Sequence, residues 1–153
     1  MGDEWTEVTI RGVVIDPMTG DPTVLLEDAD ESSIIAISAD PSSAGTIISE
    51  LEGVQQEPAH TILYRFLIRH EFSVSQVELS KDREGELAAV MRYAHRCEEY
   101  TMEIRPVDSL VVAVQTGATI LAHGDLIDDG ATPAAPRVLE GSDLLILSRR
   151  PSS

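Results

Sequence analysis

The chain has 153 residues, 42% of them hydrophobic, and sets 27 acidic side chains against 11 basic ones for a formal net charge of −16. That length suits one domain with its own core, while the charge repels nucleic acid, whose binding ordinarily rests on Lys and Arg displacing counterions from phosphates. A single cysteine, Cys97, excludes an intramolecular disulfide and a cysteine-built zinc site.

The N-terminal MGDEWTEV is acidic and does not read as a secretory leader. The longest uninterrupted apolar run, Leu110 to Val114, is far short of the roughly 18 residues of a membrane span. A soluble, cytoplasmic protein without membrane contact is therefore expected. Ten of the eleven basic residues are Arg and Lys81 is the sole lysine. A salt-rich cytoplasm, where strong self-repulsion is tolerated, and a GC-rich genome are both readings of that composition. Aromatics make up only 4% of the chain, so the core must be built from Val, Ile, Leu and Ala.

The first elements are strands. Glu7 to Ile15 is rich in β-branched residues, which suits a pleated, half-buried surface. The turn-forming DPMTGDP follows, and then TVLLED and SIIAIS give two more short strands in a three-stranded meander. Asp40-Pro41 combines an N-cap with proline at the first helical position. Ala44, Ile47, Ile48 and Leu51 recur at helical spacing, and Gly53 is the expected stop. A second helix is predicted from Pro58 to about His70, with Ile62, Leu63, Phe66 and Leu67 facing inward.

FSVSQVEL and Glu86 to Ala94 form a hairpin around KDREG, with Gly85 in the turn. A further strand is expected over Cys97 to Ile104, placing His95 and Cys97 on one strand face. The third helix starts at Pro106 and stops at Gly117, with Leu110, Val111 and Val114 as its buried stripe. ATILA gives a last short strand and GDLID a helical turn. From Asp129 onward, Pro- and Ala-rich sequence leads to the apolar run DLLIL. The expected organisation is an α+β body, residues 1–128, with mixed or antiparallel sheets and about three helices. Residues 129–153 form an appendage that packs on the body or on a second copy.

The order of these elements, together with Arg105-Pro106-Val107-Asp108-Ser109, Thr116-Gly117-Ala118, Leu51-Glu52-Gly53, Pro58 and the Lys81-to-Gly85 turn, resembles the bifunctional nuclease domain family. The five residues from Arg105 look like the family's R-P-S-D-[AS] helix start. The resemblance runs from about Val8 to Ile127 and implies an α+β domain that self-associates as a homodimer. It also implies metal-assisted cleavage of RNA and DNA, with Mg²⁺ or Mn²⁺ as the cofactor and nucleic acid as the partner.

Several positions depart from the family pattern. Ser43 stands where a Glu is usual, and Glu57-Pro58-Ala59-His60-Thr61-Ile62 stands where the family has R-P-x-T-H-D. Leu87-Ala88 replaces an aromatic pair. Carried over by resemblance, Asp108 and His60 are the candidate catalytic residues and Asp108 the candidate metal ligand. Arg105, Ser43 and Thr61 are the candidate ligand-binding residues. One carboxylate is too few for a two-metal centre.

Each candidate also has a structural role open to it. An Asp in the first turn complements the helix dipole, and Arg105 lies within reach of it. Arg105 with free backbone amides also makes an anion site. Ser43 at a helix N-terminus suits capping. Two functions follow: a nuclease, or a non-catalytic dimeric module that binds a small anion or a protein partner.

Overall fold

A computed structural model of the chain describes residues 4–29, 33–52, 62–128 and 145–149. The strands are β1 (Trp5–Ile15), β2 (Pro22–Asp28), β3 (Ile34–Ser38), β4 (Phe72–Lys81), β5 (Leu87–His95), β6 (Glu98–Ile104), β7 (Thr119–His123) and β8 (Leu145–Arg149). The helices are α1 (Pro41–Glu52), α2 (Ile62–Arg69), α3 (Pro106–Thr116) and the short α4 (Gly124–Asp128). The fold is α+β, as expected.

Seven strands form one mixed sheet in the order β3-β2-β1-β7-β4-β5-β6. β1, β2 and β3 make the antiparallel meander, and β4 and β5 make the hairpin, with Gly85 at φ 82° in its turn. β7 enters between the two groups, antiparallel to β1 and parallel to β4. β8 pairs antiparallel with β1 over Gly12 to Ile15. Leu145–Arg149 thus joins the sheet of its own chain.

The core is aliphatic. Alternating residues of one sheet face, among them Val8, Val13, Val24, Leu26, Ile37, Val77 and Leu79, close on Ala44 and Ile47 of α1 and on Leu110 and Ala113 of α3. Period-2 alternation in the strands meets period-3.6 spacing in the helices on a single buried layer. Gly117 ends α3 at φ 79°, and its N–H donates to the Ala113 carbonyl; a left-handed C-terminal residue of this kind favours glycine.

Three expectations are corrected. α2 turns its apolar residues inward only in part: Leu63 and Leu67 are half-buried, while Ile62 is 81% exposed, Phe66 58% and Ile68 54%, and no residue of α2 is fully buried. Its spacing marks an apolar stripe, but no layer among the described residues covers all of it. In α3 the buried residues are Val107, Ser109, Leu110, Ala113 and Thr116, whereas Val111 and Val114 are only partly buried beside the core. His95 and Cys97 do not share a strand face. Arg96 and Cys97 take φ of 54° and 79° and form the two-residue connection between β5 and β6, whose ladder begins at His95–Glu98. Positive φ at both central positions matches the right-handed twist of a tight hairpin, at a steric cost for residues other than glycine.

Candidate functional site: the paired helix starts

Two X-Pro helix openings, Asp40-Pro41 and Arg105-Pro106, share one corner of the molecule because α1 packs on α3. Proline has no N–H to leave unsatisfied at the first helical position, and its fixed φ suits the helix. The two starts are finished differently. At α1, Asp40 accepts from the Ser43 backbone N–H through Oδ2 at 3.0 Å and from the Ser43 hydroxyl through Oδ1 at 2.8 Å. The Ala44 N–H donates to the Asp40 carbonyl at 2.9 Å, the first intrahelical bond. Ser43 is thereby engaged in the cap.

At α3 the N-cap residue is Arg105, extended at φ −67° and ψ 147°, whose side chain makes no cap hydrogen bond. Its guanidinium instead grips Asp108 with two bonds: Nε donates to Oδ2 at 2.8 Å and Nη2 to Oδ1 at 2.9 Å. Asp108 thus starts the helix through its charge, next to the dipole's positive end, and through Arg105. Ser109, fully buried, donates its hydroxyl to the Pro106 carbonyl at 2.6 Å.

The corner is electrostatically coupled. Hydrogen bonding from Arg105 holds the Asp108 carboxyl below its ordinary value, against partial desolvation and the opposing charge of Asp40. Hydrogen bonds from Ser43 lower Asp40, with a smaller contribution from Arg105. Arg105 is raised by Asp108 first and by Asp40 more weakly. One exposed cation is therefore paired with Asp108 and feels Asp40 more weakly.

Asp40 is the member that sequence reasoning left out of the candidate set. The signal for it was a second X-Pro helix opening, but only packing brings that opening beside Arg105. The structure joins Ser43, Arg105 and Asp108 to this corner through α1 and α3. His60 and Thr61 lie outside the described residues. Of the other histidines, His123 stacks edge-on to Trp5 at 4.9 Å and accepts from the Asp125 N–H at Nδ1, 3.2 Å away. His95 stacks on Phe72 at 4.3 Å.

A divalent ion fits the corner poorly. Both oxygens of Asp108 already accept from Arg105, and both of Asp40 from Ser43. Among the described residues no three His, Cys, Asp or Glu side chains converge as a metal-holding group. Paired metals need carboxylates shared between them.

Comparison with known families settles the identity of the fold. The model of the bifunctional nuclease domain matches residues 24–135, from β2 through α4 and beyond. The chain belongs to the bifunctional nuclease domain family. No curated protein matches it significantly. Within this bifunctional nuclease domain, the Arg105–Asp108 helix start, α1 and the hairpin all fall inside the matched segment. Among the described residues no helix is long and apolar enough to cross a membrane.

Proposed function

We propose that this bifunctional nuclease domain works as a homodimeric module that binds a protein partner, with its Arg105 corner serving to join α1 and α3 rather than to cut phosphodiesters. The observation that carries this reading is the closed Arg105–Asp108 pair: the one acidic residue of the family's helix start has both oxygens occupied by a cation of its own chain. An activating metal would have to displace a bidentate, charge-assisted pair and then find further carboxylates. The net charge of −16 adds a long-range repulsion against polyanionic substrates. A small anion is disfavoured at the same place. Arg105 keeps N–H donors to spare, yet Asp40 and Asp108 flank it and more than balance its charge. The body over residues 1–128 and the appendage over 129–153 belong to this reading as one unit, joined where β8 pairs with β1.

Family membership favours a second reading, metal-assisted hydrolysis with Asp108 and His60 as ligand and base and Mg²⁺ or Mn²⁺ as cofactor. One assay separates the two. Purified protein is incubated with single-stranded RNA and DNA in Mg²⁺ or Mn²⁺, at low salt and at molar salt. The expected result is no cleavage that depends on Asp108 at either salt. Metal-dependent cleavage that survives high salt and vanishes in Asp108→Ala would overturn the proposal in favour of the nuclease.

A further inference from the structure

The chain has two Phe, three Tyr and one Trp. Five of these six aromatics (Tyr64, Phe66, Phe72, Tyr93 and Tyr100) lie on α2, β4, β5 and β6, and none of them is buried. Phe72 and Tyr93 sit 6.2 Å apart, and Tyr93 stacks on Tyr100 at 5.4 Å. Between α2 and this strand surface runs an apolar groove of about 410 Å³, whose lining includes Phe66, Leu67, Phe72, Tyr93, Met102 and Val112. Ile62, Phe66 and Ile68 stand exposed on α2 beside it, and Tyr100 and Met102 are 41% and 46% exposed on β6. β6 is also the last strand of the sheet order. A groove beside an uncovered apolar helix and an uncovered strand is the kind of contiguous apolar surface that marks an interaction site. Tyr, Phe and Met are the residue types that such cores favour.

Charge indicates what covers it. α2, ILYRFLIR, carries Arg65 and Arg69 and no acidic residue, in a chain of net charge −16. Both arginines are exposed. Two copies of so acidic a chain repel one another at most orientations, so contact is favoured where a locally cationic patch of each meets an anionic part of the other. A matching anion lies on the groove side of β6. Tyr93 pairs with Tyr100 across β5 and β6, so alternation puts Glu98 beside Tyr100 on the groove side. The Tyr100 hydroxyl donates to Glu98 Oε1 at 2.8 Å and holds it there. The outward side of α2, with Ile62, Arg65 and Arg69, thus stands next to an apolar groove and an oriented carboxylate. Self-complementarity of this sort is what a two-fold contact requires.

We infer that two copies of this chain meet through this face, α2 of each seated in the groove of the other with Arg65 and Arg69 approaching Glu98 of the second copy. This rests on the homodimer reading above and gives it a location. Helix-in-groove packing uses the apolar residues that stand exposed on α2, and each contact occurs twice by symmetry.

The test measures self-association of the full chain by sedimentation equilibrium in high salt, with a circular-dichroism melt on each variant. The wild type is expected at twice 16.6 kDa. Phe66→Glu is expected to weaken the dimer about 30-fold or more, as for a central anchor. Arg69→Glu alone is expected to weaken it about two- to fivefold, with recovery in Arg69→Glu combined with Glu98→Arg. A second measurement uses the wild type only: hydrogen exchange at rising protein concentration should slow the amides of α2 and β6 selectively. A monomeric wild type overturns the homodimer reading and the inference together. A dimeric wild type whose affinity is untouched by Phe66→Glu, or whose α2 and β6 amides ignore concentration, overturns this inference and leaves the homodimer standing. If Phe66→Glu does not fold, the exchange result decides.

Discussion

The two ends of the sheet are built from different materials. Around β1, β2, β3, α1 and α3 the side chains are aliphatic and closed: Val13, Val24, Leu26, Ile47 and Leu110 are fully or almost fully buried. Around α2 and the outer strands β5 and β6 they are aromatic and open, and every residue of β6 before Ile104 is exposed. Both regions come from apolar residues at regular spacing, so hydrophobic content alone does not distinguish them. The difference lies in how far a second layer among the described residues covers each end. The aliphatic end has α1 to close over it, and α3 packs beside α1 and reaches across to β4 and β5. The aromatic end has, among the described residues, the eight-residue α2 and the side of α3 at Val112, which leave β6 uncovered. One end holds the monomer together, and the other is the face on which the proposed dimer contact rests.

The largest test of this contrast compares two substitutions by denaturant unfolding under monomeric conditions. Leu110→Ala removes a side chain with no solvent exposure and is expected to cost about 2–5 kcal/mol. Phe66→Ala removes a larger side chain that is 58% exposed and is expected to cost less than about 1 kcal/mol in the monomer. Similar losses for both would break the contrast, since the aromatic end would then be part of the monomer's core.

Backbone geometry gives two smaller effects of opposite sign, one at each end. Gly117 closes α3 at φ 79°, so Gly117→Ala should lower the melting temperature, at a cost of about 1–2 kcal/mol. Cys97 sits at φ 79° between β5 and β6 without being glycine. Cys97→Gly should relieve that strain and stabilise the chain by about 1 kcal/mol, offset in part by the greater freedom of glycine when unfolded. A Cys97→Gly variant that melts lower than wild type would show that the turn is held by contacts of the thiol.

The smallest effect belongs to the corner that joins α1 and α3. Asp108→Asn should cost about 0.5 kcal/mol in metal-free protein, the worth of an exposed pair plus a helix-dipole contact. A clear gain in stability would mean that Asp108 is a repelled carboxylate awaiting a cation. The pH dependence has a definite sign. Asp40 and Asp108 are both held below their ordinary values, so their contribution is present above the usual carboxylate range. It is lost as pH falls through the lowered folded values. In Asp108→Asn the acid-side loss of stability should become shallower, which an acid titration of the melting temperature reads directly.

Most boundaries were legible because they are set locally. Proline at the first turn, Asp40 as a cap, Gly85 in a hairpin and Gly117 at positive φ each act through a few bonds of backbone, so sequence alone fixes helix starts, stops and turns. The Arg96–Cys97 turn was hidden because neither residue is one that ordinarily takes positive φ, and it read as continued strand. The Arg105–Asp108 pair was half legible: its i,i+3 spacing gave contact, while the presence of Asp40 beside it needed α1 to pack on α3. What periodicity cannot state is which layer covers an apolar stripe. For α1 and α3 that layer is the aliphatic sheet. For α2 much of it is not supplied among the described residues, and only the tertiary arrangement, by placing β6 at the sheet edge with one short helix nearby, decided that its apolar residues remain exposed.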